Sequence, residues 1–161
     1  MSRLDSFIGR MTAQRDYLDH IASHPLLPDI GDVFEIGLGN GRTYSHLREK
    51  FPDRRIIVFD RVVMAHSSCI PEVENMVVGE IEETAQKFVG SEAAFAHADI
   101  GSGNEEIDAI TLQWLPQAVV DLIANGGLAM SCGMPLPHAR LNEISVPDTI
   151  SSQRCFVYQK I

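Results

Sequence analysis

The chain has no apolar run long enough to cross a bilayer, and it is poor in basic side chains: 13 Lys and Arg stand against 22 Asp and Glu, a formal charge of −9. The first lack argues against a membrane-spanning segment. The second sets an average field that repels phosphate backbones and anionic lipid, so neither nucleic acid nor membrane is an expected partner. The opening stretch, MSRLDSFIGRMTAQRD, carries charges throughout instead of a basic segment followed by an apolar one, and a cytoplasmic location is expected. Cysteine is scarce too. Cys69, Cys132 and Cys155 are too few and too widely spaced for a disulfide framework or a clustered metal site, so they read as reduced, buried thiols. No repeat, low-complexity tract or linker-like shift in composition interrupts the chain, which predicts one domain over 1–161, with a helix over 1–24 packed on its core.

Hydrophobic residues at 45% and charged residues at 22% describe a chain that can bury a core. Residues 3 to 22 place Leu4, Phe7, Ile8, Met11, Leu18 and Ile21 at helical intervals, with a polar gap at Gln14 and Arg15, and Pro25 and Pro28 end the pattern. VFEIG then reads as a buried strand. GRTYSHLREKF follows as a helix with Tyr44, Leu47 and Phe51 on one face. IIVFD and NMVVG are parallel-strand candidates, IEETAQKFV a helix and AAFAHAD a strand. Residues 104–124 read as mostly helical, with Pro116 opening a second helix and Asn125-Gly126-Gly127 ending it; IDAITL within them suits a strand as well. LAMSC is one more buried strand. LNEISV and RCFVYQK, separated by Pro147 and a polar loop, form an antiparallel pair at one sheet edge. Strand alternating with helix at these spacings predicts a doubly wound α/β sheet covered on both faces.

The stretch VFEIGLGNGR puts Gly37, Gly39 and Gly41 at alternate positions between a strand and a helix. Glycines there let a backbone approach a ligand closely, and three of them exceed what a simple turn needs. A dinucleotide site requires G-x-G-x-x-G, but Arg42 stands where its third glycine would fall, so the spacing disfavours NAD.

E-I-G-L-G-N-G, residues 35–41, instead resembles the first motif of class I S-adenosylmethionine-dependent methyltransferases, acidic-x-Gly-x-Gly-x-Gly. The resemblance extends over residues 33 to about 132 and implies a Rossmann-like seven-stranded sheet in three α/β/α layers, mostly parallel with an antiparallel C-terminal strand. It also implies S-adenosyl-L-methionine as cofactor and a set of residues around it. Glu35, Gly37, Leu38, Gly39, Asn40, Gly41 and Thr43 form the first motif and helix start; Asp60 with Arg61 closes the second strand, where the family's acid takes the ribose hydroxyls. Gly79, Glu80 and Ile81 fall beside the adenine, and Asp99 with Ile100 on the methyl-donor side. All of them lie at strand C-terminal ends, where open α/β sheets bind ligands.

Methyl transfer from a sulfonium is an in-line displacement, so alignment and exclusion of water carry it, and a base is needed only when the nucleophile arrives protonated. Asp99 is the first candidate for that base, ahead of His97, which in an alanine-rich strand reads as a hydrogen-bonded core residue, and of His46 and His138. The stretch after the fifth strand, SCGMPLP, lacks the carboxylate that metal-dependent O-methyltransferases use, so no metal is expected. There is no N-P-P-Y motif and no basic cluster interleaved with aromatics; the expected acceptor is a small molecule. Little chain remains to grip it: the first helix, the 62–74 loop and 133–153. Gln14, Arg15 and Tyr17, near the polar side of that helix, read as a solvated face or as cover for the cofactor. A second subunit, making a homo-oligomer, is a candidate for the missing wall. The alternative is a catalytically silent cofactor-binding sensor or partner subunit.

Overall fold

In the computed structural model of the chain, which describes residues 1–151 and 154–161, seven strands form one sheet in the order β3-β2-β1-β4-β5-β7-β6. In chain order the elements are α1 (Arg3–Ala22), β1 (Val33–Ile36), α2 (Arg42–Lys50), β2 (Ile56–Asp60), β3 (Met76–Val78), α3 (Ile81–Ala85), β4 (Ala93–Ala98), α4 (Glu105–Thr111), α5 (Leu115–Leu122), β5 (Ile123–Cys132), β6 (Leu141–Glu143) and β7 (Cys155–Lys160). β1 to β5 run parallel, and β7 lies antiparallel to both β5 and β6. This is the doubly wound arrangement that alternating strands and helices imply, with the antiparallel pair at one edge. The last two residues of the predicted polar loop, 152 and 153, lie outside the described residues.

The central strands are buried on both faces, so their residues alternate between two cores instead of between core and solvent. Phe34 and Ile36 of β1 face the core under α3 and α5 with Ile57, Phe59, Val119 and Leu122. Val33 faces the core under α1 and α2 with Leu18, Ile21, Leu47, Phe95 and Met130. Truncating a fully buried residue such as Leu18 to Ala should cost about 2–5 kcal/mol.

α1 begins with a reciprocal cap: the Asp5 backbone N–H donates to Ser2 Oγ and the Ser2 N–H to Asp5 Oδ2, each at 3.0 Å. Only its second half packs as the apolar spacing predicts. Leu18 and Ile21 are buried, whereas Leu4 and Ile8 remain exposed. IDAITL is helical, within α4 and the residue after it. The helix expected to end at Asn125-Gly126-Gly127 stops at Leu122. Those three residues form an irregularity within β5, where pairing passes from Ala93 opposite Ile123 to Phe95 opposite Leu128.

The thiol reading is corrected at two of its three positions. Cys132 and Cys155 are directly opposite in the β5–β7 register, with Cα atoms 4.2 Å apart, and are joined as a disulfide. Twenty-three positions of sequence separation conceal what strand pairing brings together. Cys69 is free and half-buried.

Candidate functional site

The connection from β1 into α2 turns through three left-handed glycines, Gly37 at φ +98°, Gly39 at +52° and Gly41 at +86°. They do different things. A β-carbon at Gly37 would lie 2.9 Å from the Asp99 carbonyl oxygen, and one at Gly41 would run into Cys69 and Ala65, so these two glycines permit close packing inside the protein. A β-carbon at Gly39 would meet nothing within 4 Å. Gly39 alone of the three opens the backbone onto free space, as a cradle for a ligand requires.

The loop is pinned from below by two carboxylates. Asp60 Oδ2 accepts from the N–H groups of Leu38 at 2.8 Å and Gly39 at 3.0 Å, while Oδ1 accepts from Arg61 N–H at 2.7 Å. The acid at the end of β2 therefore shapes the glycine loop itself, and a partly exposed carboxylate with up to four acceptor sites keeps capacity for a further hydroxyl. Glu35 is fully buried beneath the loop. One of its oxygens accepts from Thr43 Oγ1, on the first turn of α2, and the other pairs with His97 Nδ1 at 2.6 Å. Its side chain is thus an internal anchor between β1, α2 and β4.

From His97 the polar chain continues to the surface. Gln14 of α1, itself buried, places its amide nitrogen 3.3 Å from His97 Nε2 and donates to Asp99 Oδ2 at 2.9 Å. With the amide placed so, Nε2 accepts and the neutral ring carries its proton on Nδ1, facing Glu35. Burial pushes the His97 pKa down, but the charge and hydrogen bond of Glu35 and the charge of Asp99 outweigh it, leaving the pKa above the ordinary 6.5. Protonating Nε2 would face two donors, so the Gln14 amide must then turn over and release Asp99. Asp99 itself is exposed, at the end of β4.

These elements wall a cleft of about 790 Å³ beyond the C-terminal ends of β1, β4 and β5. The glycine loop supplies Gly37, Leu38, Gly39 and Asn40, followed by Thr43 of α2, and β4 supplies Asp99. The rest of the lining includes Gly101–Gly103, Glu105 and Asp108 of the α4 side, Cys132 at the end of β5 with Gly133–Pro135 after it, and Arg154 before β7. Asp108 caps its own loop, accepting from Ser102 N–H at 2.8 Å and Ser102 Oγ at 2.7 Å.

Of the residues expected at the site, Glu35, Gly41 and Ile100 lie behind the wall, and Asp60 and Arg61 at the β2 end under the loop. Gly79, Glu80 and Ile81 sit beyond β3, with Ile81 buried in the core under α3. Of the three α1 residues read as near its polar side, Gln14 lines the cleft but is buried instead of solvated, Tyr17 is buried in the core under α1 and α2, and Arg15 is exposed away from the cleft. His46 pairs with Asp19 at 2.8 Å between α1 and α2, and His138 contacts Gln117, so neither faces the cleft. Among the described residues no group of three His, Cys, Asp or Glu side chains is placed to hold a metal ion, and no helix is long and apolar enough to cross a membrane.

A sheet of this order with a glycine loop and acids at successive strand ends defines the Rossmann-like fold of class I methyltransferases. The sequence profile described as S-adenosyl-L-methionine methyltransferase matches residues 1–160, and the chain belongs to that family. A crystal structure of an S-adenosyl-L-methionine methyl transferase from Silicibacter pomeroyi is similar at 36% identity over 99% of both chains, with a TM-score of 0.84. The fold is shared more distantly with cofactor-bound Rv0187 from MTB (14% identity, 98% of this chain and 88% of that one, TM-score 0.60). It is shared likewise with the antibiotic-resistance methyltransferase Kmr (14% identity, 91% and 92%, TM-score 0.58). No curated protein matches the chain. The family assigns S-adenosyl-L-methionine as the cofactor and methyl transfer as the activity class.

Proposed function

We propose that this chain, as one domain in the cytoplasm, moves the S-adenosyl-L-methionine methyl group to a small-molecule acceptor in the cleft between α1 and α4. The observation that carries the reading is Gly39: a left-handed backbone position with open space where its side chain would be, beside a cleft that continues past Asp99 to walls the cofactor motifs do not account for. When bound, the cofactor supplies a sulfonium whose methyl carbon is open to in-line attack. Asp60, itself held by the Leu38 and Gly39 amides, takes its ribose hydroxyls, with Gly79, Glu80 and Ile81 on the adenine side and Ile100 beside Asp99 on the methyl-donor side. Asp99, kept in place by Gln14, faces the acceptor and takes the proton that a hydroxyl or amine nucleophile loses; its Oδ1 has no hydrogen-bond partner among the described residues. The walls from Gly101–Gly103 and Cys132–Pro135 orient the acceptor and exclude water. A formal charge of −9 supports a small acceptor over nucleic acid.

The test pairs calorimetry of S-adenosyl-L-methionine binding with a labelled-methyl transfer screen over a metabolite library, on wild type and Asp99→Asn. Binding with turnover, and turnover selectively lost in the variant, is the expected result. Failure to bind the cofactor would overturn the site, and persistent silence despite tight binding would overturn the transfer.

A further inference from the structure

The arginines of this acidic protein are unevenly placed. Phe7, on the exposed first half of α1, has the Arg10 guanidinium 5.6 Å and the Arg42 guanidinium 5.5 Å from its ring centroid. Arg3, Ser6, Phe7, Arg10 and Arg154 line a notch of about 300 Å³, and Arg10 and Arg154 also line the main cleft, so the two spaces share a wall. Among the described residues neither Arg3 nor Arg10 meets a carboxylate within ion-pair distance. In contrast, Arg15 pairs with Asp16, and Arg48, Arg54 and Arg55 are bonded to backbone carbonyls. Gathering like charges over one face of an acidic chain is unfavourable unless a ligand of opposite sign uses them. The facing wall, with Glu105 and Asp108, makes the cleft polarised, and an elongated acceptor carrying an acid at one end is oriented by it.

We propose that the methyl acceptor is an anionic small molecule, its carboxylate or phosphate held at this notch by Arg3, Arg10 and Arg154 with Phe7 beneath it, and its nucleophilic end directed down the cleft to Asp99. Guanidinium forks suit both acid groups, and packing on the Phe7 ring orients that of Arg10 before the ligand arrives. This inference rests on the methyltransferase reading of the cleft. Asp60 lines neither the notch nor the cleft, so we assign the notch to the acceptor and not to the ribose end of the cofactor.

The test titrates inorganic pyrophosphate, and separately malonate, into protein saturated with S-adenosylhomocysteine, followed by calorimetry. Saturating that product fills the cofactor's own carboxylate position, so further anion binding that depends on Arg10 and Arg154 reports the notch. Saturable binding of one probe identifies phosphate or carboxylate as the preferred acid. Arg10→Gln with Arg154→Gln, both exposed positions, should then weaken it by about tenfold or more, the scale of losing charge-assisted hydrogen bonds, while S-adenosylhomocysteine affinity changes by less than about threefold. Absence of saturable binding of both probes in the millimolar range, or binding unaffected by the double substitution, overturns the proposal. So does a tenfold loss of S-adenosylhomocysteine affinity in the variant, because the arginines would then serve the cofactor. Failure of the unmodified protein to bind S-adenosylhomocysteine at all would instead overturn the parent reading, which keeps the two failures distinguishable.

Discussion

Substituting Gly37 and Gly39 one at a time by alanine separates packing from ligand contact within one loop. At Gly39 the backbone sits at φ +52°, inside the left-handed helical region, and a β-carbon meets no atom within 4 Å. Alanine can occupy that region for about 1–2 kcal/mol, which for a chain of this size lowers the melting temperature by about 2–8 °C. At Gly37 the backbone sits at φ +98°, outside that region, and the β-carbon would lie 2.9 Å from the Asp99 carbonyl oxygen, which is backbone and cannot swing away. Strain and overpacking there sum to about 2–6 kcal/mol and a melting-temperature loss of about 4–24 °C. Cofactor affinity should follow the opposite order. The β-carbon of Gly39→Ala occupies the space the ligand needs and should weaken S-adenosylhomocysteine by about tenfold or more, whereas whatever Gly37→Ala protein remains folded keeps the cradle surface. Thermal unfolding and calorimetry on the two purified variants decide the matter. A Gly39→Ala protein as destabilised as Gly37→Ala, with unaltered affinity, would refute the reasoning, since Gly39 would then be a turn residue only.

Asp60→Ala removes the acceptor of the Leu38 and Gly39 N–H groups, so it should weaken cofactor binding by about 1.5–3 kcal/mol and raise hydrogen exchange in the loop; calorimetry with unchanged affinity would sink the ribose assignment. Because the folded His97 pKa is raised, the stability it contributes is fully present below its unfolded value near 6.5 and is lost as pH rises through the folded value. Denaturant midpoints followed upward from pH 6 should fall more steeply for wild type than for His97→Gln, and parallel profiles would rule out the Glu35–His97 coupling. Thiol titration of unfolded, unreduced protein should find Cys69 alone, with Cys132 and Cys155 appearing after reduction; three thiols without reductant would disprove the pairing.

The order of strands and helices was legible because it depends on local signals. β-branched runs end at Gly, Asp or Pro, and apolar residues recur at helical intervals, as VFEIG and IIVFD show. The glycine loop and the acids at strand ends were legible for the same reason, as contiguous words of sequence. Long-range pairing has no such local mark. That Cys132 faces Cys155 depends on the β5–β7 register, and a one-residue slip would turn the two side chains to opposite faces. That Gln14 is buried depends on how α1 lies over β4: periodicity could locate the gap in the apolar stripe but could not say that His97 and Asp99 fill it. The roles of the glycines divided likewise. The sequence by itself determined that the chain must turn tightly at three alternate positions after β1. Only the tertiary structure decided that Gly37 and Gly41 make room for Asp99 and Cys69 while Gly39 faces open space, because what a missing side chain would touch is set by neighbours distant in the chain.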